Sequence, residues 1–272
     1  MRLEAVGKRY GLRQPWVVRG VSADVPTGRL IRVAGRNGSG KSTLLRVVAG
    51  VSLPSAGKVT GRPHCGYVPE RFPAGLPFPG REYLQHLARI HGLRGEVALR
   101  RVEEWLERLG AAGYADQSLR SMSKGMCQKM ALAQALIPSP GLLVLDEAWT
   151  GLDQAARAEL DAAVGERVTA GGTVLFVDHD QARLAGREDE RWNFDDSGRV
   201  DILAGPAPVA APRVERVTIR LETTDAARVI GQVRAIEGAR VRSVDVQVAD
   251  AEVANAEVAN AEATDVEGTG GS

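Results

Sequence analysis

Gly35-Arg36-Asn37-Gly38-Ser39-Gly40-Lys41-Ser42-Thr43 is the segment that decides the fold of this chain. Its letters match the pattern G-x-x-x-x-G-K-S-T of a phosphate-binding P-loop. A mostly apolar run precedes it at 30–34, and apolar residues with helical spacing follow it at 44–48. We therefore expect a strand, a loop and a helix in that order, which is the context that gives the pattern a physical meaning.

The residue types of this segment suit the binding of phosphate groups and of a divalent cation. Glycines allow backbone N–H groups to turn inward around phosphate oxygens, and the following helix adds the positive end of its dipole. Lys41 can reach the β- and γ-phosphates of a nucleotide, and Ser42 can hold Mg²⁺ through its hydroxyl. We therefore predict that all nine residues of the segment contact nucleotide.

The composition of the chain excludes several classes of protein. The chain has 272 residues, of which 44% are hydrophobic, and its formal net charge is +1. It can therefore bury a substantial core, and we expect no nucleic-acid partner. Two cysteines and four histidines provide neither a disulfide framework nor a zinc cluster. Because the sequence has no signal peptide and no apolar run of about 18 residues, we expect a cytoplasmic chain whose membrane-spanning partner, if any, is separate.

Apolar patterns in the first 205 residues alternate between strands and helices. Short, fully apolar runs are typical of buried parallel strands, and apolar stripes at helical spacing are typical of helices packed on a core. This alternation around a phosphate loop predicts an α/β fold with a mostly parallel sheet. The predicted elements are strands at 17–27, 59–68, 142–145 and 173–177, a proline-rich loop at 69–80, and helices between 81 and 137.

The composition changes after residue 205. A stiff, proline-rich linker is expected at 206–212, and a small β-α-β module at 213–248, which is too small to be stable without a partner surface. The last stretch, 249–272, has acidic residues and no basic ones, and we predict a solvated, low-complexity tail. The main domain is therefore expected to be 1–205.

Two adjacent carboxylates follow the apolar strand predicted at 142–145. They are Asp146 and Glu147, and they stand at a strand end, which is where sites of α/β proteins gather. An NTPase needs one carboxylate for Mg²⁺ and usually a second as a base for water. We assign Asp146 to the metal and Glu147 to the attacking water.

Further short motifs appear in a fixed order along the chain. Together with the P-loop and Asp146-Glu147, they resemble the nucleotide-binding subunit of an ABC transporter, and the resemblance covers residues 1 to about 205. The matching segments are Met122-Ser123-Lys124-Gly125-Met126 for the signature loop, Ala148-Trp149-Thr150-Gly151-Leu152-Asp153 for the D-loop, His179 for the switch histidine, and Tyr10 for the residue that stacks on adenine.

The resemblance implies a fold and a mechanism. The fold is that of a P-loop ABC ATPase domain with an antiparallel N-terminal β part and a helical subdomain at about 72–137. Two copies meet head to tail, and each ATP lies between the P-loop of one copy and the signature loop of the other, so that Ser123, Lys124, Gly125 and Asp153 contact nucleotide. Hydrolysis by Glu147, with help from His179 and Lys41, would drive a separate transmembrane permease, with the ATPase peripheral on the inner face of the membrane.

Two departures from the family pattern affect the expected function. Glu70 stands where the family usually has a glutamine that senses γ-phosphate and Mg²⁺, so that a negative charge is added near the triphosphate. In the signature, Lys124 replaces a glycine, and Met126 a glutamine. Such changes resemble ATPases of drug, peptide or polymer exporters, and we expect export. The loop at 71–80 has aromatic residues at 72 and 78, both of which we expect to be exposed, and it is expected to face the permease.

Several alternatives stay open from the sequence. A soluble ABC ATPase that remodels a protein or nucleoprotein complex is the second hypothesis, and a non-hydrolysing regulator that works through the β-α-β module is the third. Trp16 is an alternative to Tyr10 for adenine stacking. The sequence leaves open whether the dimer is homomeric, which we expect, or formed with a paralogue, and it does not identify the cargo.

Overall fold

A computed structural model describes residues 1–72 and 75–205 of the chain. In this part, six strands form one sheet in the order β5-β6-β7-β3-β8-β9. All neighbouring pairs are parallel except β8 and β9, which are antiparallel. The mostly parallel sheet is thus confirmed. Its strands are β3 (Leu30–Ala34), β5 (Cys65–Val68), β6 (Leu142–Asp146), β7 (Thr173–Val177), β8 (Glu190–Phe194) and β9 (Val200–Ala204).

A second, antiparallel sheet contains the N-terminus. Its order is β2-β1-β4, with β1 at Arg2–Lys8, β2 at Val18–Asp24 and β4 at Ala56–Thr60. This sheet is the antiparallel N-terminal β part that the family resemblance implies.

Five α-helices complete the described part of the chain. Helix α1 begins at Lys41, directly after the P-loop, and Gly50 ends it in a left-handed conformation with φ of 82°. Three of these α-helices lie within the region expected for the helical subdomain. The helices are α1 (Lys41–Ala49), α2 (Gly80–Ile90), α3 (Gly95–Arg108), α4 (Lys124–Leu136) and α5 (Gln154–Thr169).

The six-stranded sheet separates two hydrophobic clusters. On one face, the apolar residues of α1 pack with the inner face of the antiparallel sheet. On the other face, α4 and α5 cover the sheet, and α2 and α3 extend this core outward. Strands β6 and β7 are buried along their whole length, which explains their uninterrupted apolar sequences. The carboxyl ends of β3, β6 and β7 therefore carry the P-loop, Glu147 and His179 to one edge of the sheet.

The structure corrects one predicted strand. The stretch 59–68 is not one interrupted strand but the end of β4 and the whole of β5, which belong to different sheets. Gly66 of β5 is needed where it stands, because a Cβ atom there would lie 2.4 Å from the carbonyl oxygen of Ala135 in α4. The glycines and proline of this stretch thus mark a crossing between sheets and a close helix contact.

The remaining domain predictions concern residues that the structure does not describe. The linker at 206–212, the module at 213–248 and the tail at 249–272 all lie outside the described residues. Within the ranges that are described, no helix is both long enough and apolar enough to cross a lipid bilayer.

Candidate functional site

The P-loop backbone forms the floor of an open pocket at the carboxyl edge of the sheet. Gly40, the residue before α1, has φ of 111°, and a Cβ atom there would lie 2.5 Å from the carbonyl oxygen of Val17. Only glycine fits this position, so that the loop closes tightly on the helix. The pocket is lined by Val17, Asn37, Gly38, Gly40, Lys41, Ser42, Thr43, Glu70, Glu147 and His179.

Lys41 turns its side chain back toward the loop. Its Nζ donates to the carbonyl oxygens of Gly35 at 2.9 Å and of Arg36 at 2.8 Å. Burial lowers the pKa of the Lys41 ammonium, and the carboxylates of Glu147 and Asp146 act in the opposite direction. The structure thus holds a cation over the loop, which suits the charge of nucleotide phosphates.

Ser42 and Asp146 meet at the base of the pocket. The Ser42 hydroxyl donates to Oδ1 of Asp146 at 2.9 Å, and the Tyr67 hydroxyl lies 3.4 Å from Oδ2. Asp146 is fully buried, and burial raises the pKa of its carboxyl, although the hydrogen bond from Ser42 opposes this. A hydroxyl beside a carboxylate is the oxygen donor set that Mg²⁺ prefers, and a buried carboxylate gains most from a cation. The residues present therefore fit the ion.

Glu147 and His179 form the second pair of the site. The Glu147 Oε1 lies 2.7 Å from Nε2 of His179. Burial raises the pKa of the Glu147 carboxyl, and the neighbouring carboxylates of Glu70 and Asp146 add to this, whereas His179 acts against it. A carboxylate with a raised pKa accepts a proton from water more readily than an ordinary surface carboxylate does.

The backbone of Glu147 is strained. This non-glycine residue has φ of 55°, and its N–H donates to the carbonyl oxygen of Val177 at 3.0 Å. The left-handed conformation costs free energy, and it turns the side chain out of the strand direction and into the pocket. Strain of this kind at the end of β6 is typical of a functional position.

Glu70 lies at the same pocket, after β5. Its nearest cationic partner among the described residues is Arg71, at 3.8 Å. Its charge contributes to the raised pKa values of Asp146 and Glu147. The expected extra negative charge is therefore present beside Asp146 and Glu147.

The two candidates for adenine stacking differ in their surroundings. The Tyr10 hydroxyl is 3.1 Å from Oγ1 of Thr43, Nζ of Lys8 lies 5.5 Å from the centroid of its ring, and the residue is 61% exposed. The ring of Trp16 packs against Gly7 and carries the guanidinium of Arg9 at 4.7 Å. Each ring thus carries a cation, but Trp16 is half-buried against Gly7, whereas Tyr10 is exposed and stays the candidate.

Comparison with known proteins identifies the family. The family described as ABC transporter matches residues 18–150. The zinc import ATP-binding protein ZnuC of Halorhodospira halophila is 33% identical over 214 residues, which cover 77% of this chain and 78% of that protein. The chain belongs to the family of ABC transporter ATP-binding subunits. It is an ABC ATPase, which binds ATP and couples its hydrolysis to transport.

Solved structures agree with this assignment. The ATP-binding subunit of an ABC transporter matches with a TM-score of 0.68 and 25% identity, over 75% of this chain and 89% of that one. The dimeric post-hydrolysis state of an ATP-binding cassette, bound to ADP and phosphate, matches with a TM-score of 0.64 and 21% identity, over 75% of this chain and 97% of that one. The predicted ABC ATPase fold is confirmed. The predicted export direction finds no support, since the relative named above is an import ATP-binding protein.

The signature loop of this ABC ATPase is built differently from the P-loop. Ser123 is the N-terminal cap of α4, where its Oγ accepts from the N–H of Met126 at 3.3 Å. Ser123 and Lys124 are exposed. A Cβ atom at Gly125 would lie 2.7 Å from the carbonyl oxygen of Gly151 in the D-loop. The structure does not bring Ser123, Lys124 or Gly125 to the pocket of their own chain.

Asp153 of the ABC ATPase also lies away from the pocket. Its Oδ1 accepts from the N–H of Ala156 at 2.8 Å and caps α5, and its Oδ2 lies 2.6 Å from Nζ of Lys129. Lys129 holds the pKa of the Asp153 carboxyl below its usual range. Within one chain, Asp153 is therefore a helix cap and ion-pair partner, and it does not line the pocket that holds Lys41.

Some P-loop side chains and two further residues complete the geometry. Arg36 faces outward, 3.3 Å from Asp196, whereas the Ser39 hydroxyl is enclosed.

Two residues with contacts near the site, Tyr67 and Gln128, are not singled out by any motif. The Gln128 amide donates to the carbonyl oxygen of Ala148 at 3.1 Å, which ties the signature helix to the D-loop. The hydroxyl of Tyr67 in the otherwise apolar strand β5 is a weak signal in the sequence, whereas nothing in the sequence separates Gln128 from the other polar residues of α4.

Proposed function

We propose that this ABC ATPase powers import through a separate membrane permease. The observation that carries the catalytic half of this proposal is the contact of Glu147 with His179 beside Lys41. The direction follows the zinc importer to which the chain is 33% identical. Because the ATPase subunit does not select the cargo, we leave the identity of the cargo to the permease.

The P-loop and the two strand ends divide the work of the site. Lys41 and the P-loop backbone hold the phosphates, and Ser42, Asp146 and Glu70 hold Mg²⁺. When bound, Mg²⁺ would neutralise the charge that develops on the transferred phosphoryl group. Glu147 accepts a proton from the attacking water, and His179 fixes the carboxylate of Glu147 through its Nε2 atom. Tyr10 stacks on the adenine ring.

A second copy of the chain completes the site in this proposal. Ser123 and Lys124 are exposed, and with Gly125 they lie away from the pocket of their own chain, which is what a surface for another subunit requires. Asp153, at the start of α5, contacts nucleotide in the same proposal, from the partner side. A homodimer provides both surfaces by symmetry, because each copy gives its P-loop to one site and its signature loop to the other. The dimeric cassette with the same fold supports this arrangement.

The loop at 71–80 is the proposed contact with the permease on the inner face of the membrane. Its two aromatic residues are not equivalent, which corrects the expectation that both are exposed. Phe72 packs against the helical core, with its ring 5.9 Å from that of Tyr83, whereas Phe78 is 50% exposed. Phe78 is therefore the aromatic residue of this loop that is free to dock.

The first experiment is purification of the ABC ATPase from its native membrane fraction in mild detergent, followed by mass spectrometry. We expect a stoichiometric protein with several membrane spans. Recovery with soluble partners only would contradict the permease and would favour a soluble remodelling ATPase.

A second experiment tests the direction. The purified complex is placed in liposomes, and ATP is added only on the outer side, so that only complexes with an outward-facing ATPase are driven. An importer moves cargo toward the side that carries the ATPase, which here empties preloaded vesicles. Filling of the vesicles would show export.

A further inference from the structure

A buried arginine interrupts the apolar strand that leads into the P-loop. Arg32 is the middle residue of β3, and it is only 4% exposed. A buried charge is costly unless specific partners compensate it. The other residues of β3 are apolar, so the strand itself gives no reason for a guanidinium at this position.

The partners of Arg32 lie in the segment that carries the switch histidine. We call residues 178–183, which follow β7, the switch segment. The guanidinium of Arg32 donates to the carbonyl oxygens of Asp180, at 3.5 Å, and of Arg183. It also lies 4.7 Å from the ring centroid of Phe176, the residue beside it in β7. Arg32 thus holds the switch segment at two points just beyond His179.

The charge of Arg32 is balanced from the opposite side. Its Nε lies 3.8 Å from Oε1 of Glu188, which is fully buried. Arg191 reaches the same oxygen at 2.5 Å. Glu188 therefore keeps a cationic partner when Arg32 is replaced, so that the loss of Arg32 does not leave the carboxylate unpaired.

The contacts continue from the switch segment to the D-loop. The Arg183 side chain lies 3.0 Å from Oδ2 of Asp161 in α5, and the indole N–H of Trp149 donates to Oδ1 of the same carboxylate at 2.8 Å. The strand that carries the P-loop, the switch segment and the D-loop are thus joined by one set of contacts. None of the four side chains that make these contacts, those of Arg32, Arg183, Asp161 and Trp149, lines the pocket that holds Lys41.

We infer that Arg32 is a positioning residue for ATP hydrolysis, which holds the switch segment so that His179 meets Glu147. Arg32 acts through backbone carbonyls, so the geometry of its fork matters as well as its charge. The inference rests on the proposed roles of His179 and Glu147. Because Arg32 does not line the nucleotide pocket, its loss should change turnover and leave nucleotide affinity unchanged.

The test compares three variants of the purified ABC ATPase. We expect Arg32→Met to lower kcat by about tenfold to a hundredfold, because a small misplacement of a catalytic group has effects of that size. The KM for ATP should stay within about twofold. Arg32→Lys should be intermediate, since an ammonium cannot bridge both carbonyls as the fork does. Arg191→Met is the matched control, because it removes a cation from Glu188 without touching the switch segment, and it should keep the normal kcat.

A double-mutant cycle separates positioning from general damage. In a His179→Ala background, measured under single-turnover conditions, Arg32→Met should cause no further loss. Equal losses in both backgrounds would overturn the inference, and so would a normal kcat in a folded Arg32→Met protein. Should Arg32→Met fail to fold, Arg32→Lys decides, because a normal kcat in that variant is also contradictory. A normal kcat in His179→Ala alone would instead contradict the proposed role of His179.

Discussion

The P-loop and the signature loop both begin a helix, but their surroundings differ. At the P-loop, functional side chains are bound by their own chain: Lys41 to loop carbonyls, Ser42 to Asp146, and Glu147 to His179. At the signature loop, Ser123 caps its own helix, and the surface around it is exposed. In the proposed dimer, one half of each site is therefore preorganised within a single chain, whereas the other half comes from a surface of the partner.

The largest expected effect removes the proton acceptor from the preorganised half. Glu147→Gln should lower kcat by about a hundredfold or more, because general-base catalysis contributes at least that much. ATP binding should persist, and the ATP-bound dimer should accumulate. Steady-state hydrolysis and light scattering after gel filtration with ATP measure the two effects. A monomeric variant with normal turnover would contradict both the role of Glu147 and the need for a partner.

The next prediction concerns the half that is prepared for a partner. Gly125→Ala should lower kcat by about tenfold, because the new Cβ would meet the Gly151 carbonyl at 2.7 Å and shift the loop from its position. Binding of ATP to the monomer should be unaffected. Gly113→Ala is the matched control, since no heavy atom lies within 4 Å of a Cβ there. If both variants hydrolyse ATP normally, the close contact of signature loop and D-loop has no part in turnover.

A smaller effect tests the cost of preorganisation. Burial raises the pKa of Asp146, so its charged form is disfavoured in the folded protein. Asp146→Asn should therefore increase the free energy of unfolding at neutral pH by about 1 kcal/mol, in the absence of nucleotide and Mg²⁺, while hydrolysis is lost.

The pH dependence of this gain has a definite sign. As the pH falls through the raised pKa toward the ordinary carboxyl value, Asp146 takes up a proton in the folded protein, and the advantage of the asparagine disappears. Urea unfolding of both proteins at neutral and acidic pH measures this. An advantage that is constant across the pH range would show that the carboxylate charge is not its cause.

The smallest effect is expected at the rim of the pocket. Tyr10→Ala should raise the KM for ATP about threefold, because a stacked ring at an exposed rim contributes about 0.7 kcal/mol. Tyr10→Phe keeps the ring and loses only the hydroxyl contact with Thr43, so its KM should be nearly normal. Equal effects of the two substitutions would mean that the hydroxyl, and not the ring, is what matters at Tyr10.

Much of the site could be predicted because its chemistry depends on short, contiguous motifs. The P-loop and the Asp146-Glu147 pair each lie within a few residues, and the parallel strands that end beside them are apolar enough to identify. Glu70, at its sequence position after β5, was also expected near the triphosphate, and the structure places it at the pocket. The position of Glu70 could be predicted because it depends only on where one strand, β5, ends.

Other features depend on neighbours that are far apart in sequence. The stretch 59–68 changes sheets, and the reason for Gly66 is a helix almost 70 residues later. Ile90 fits the apolar spacing of α2 and yet is 75% exposed. The spacing of apolar residues along a helix does not show how far along that helix the rest of the protein covers it. Asp153 matches a motif, but its helix-capping and ion-pair contacts became visible only with α4 and α5 in place.

The sequence by itself determined the P-loop motif, the two adjacent carboxylates at the end of β6 and the parallel sheet, since these follow from residue types at fixed short spacings. Only the tertiary structure decided which residues hold them. The guanidinium of Arg32 meets carbonyls about 150 positions away, and Tyr67 meets Asp146 79 positions away. The physical reason is that a buried polar group is defined by its partners, and the fold, not the local sequence, brings those partners together.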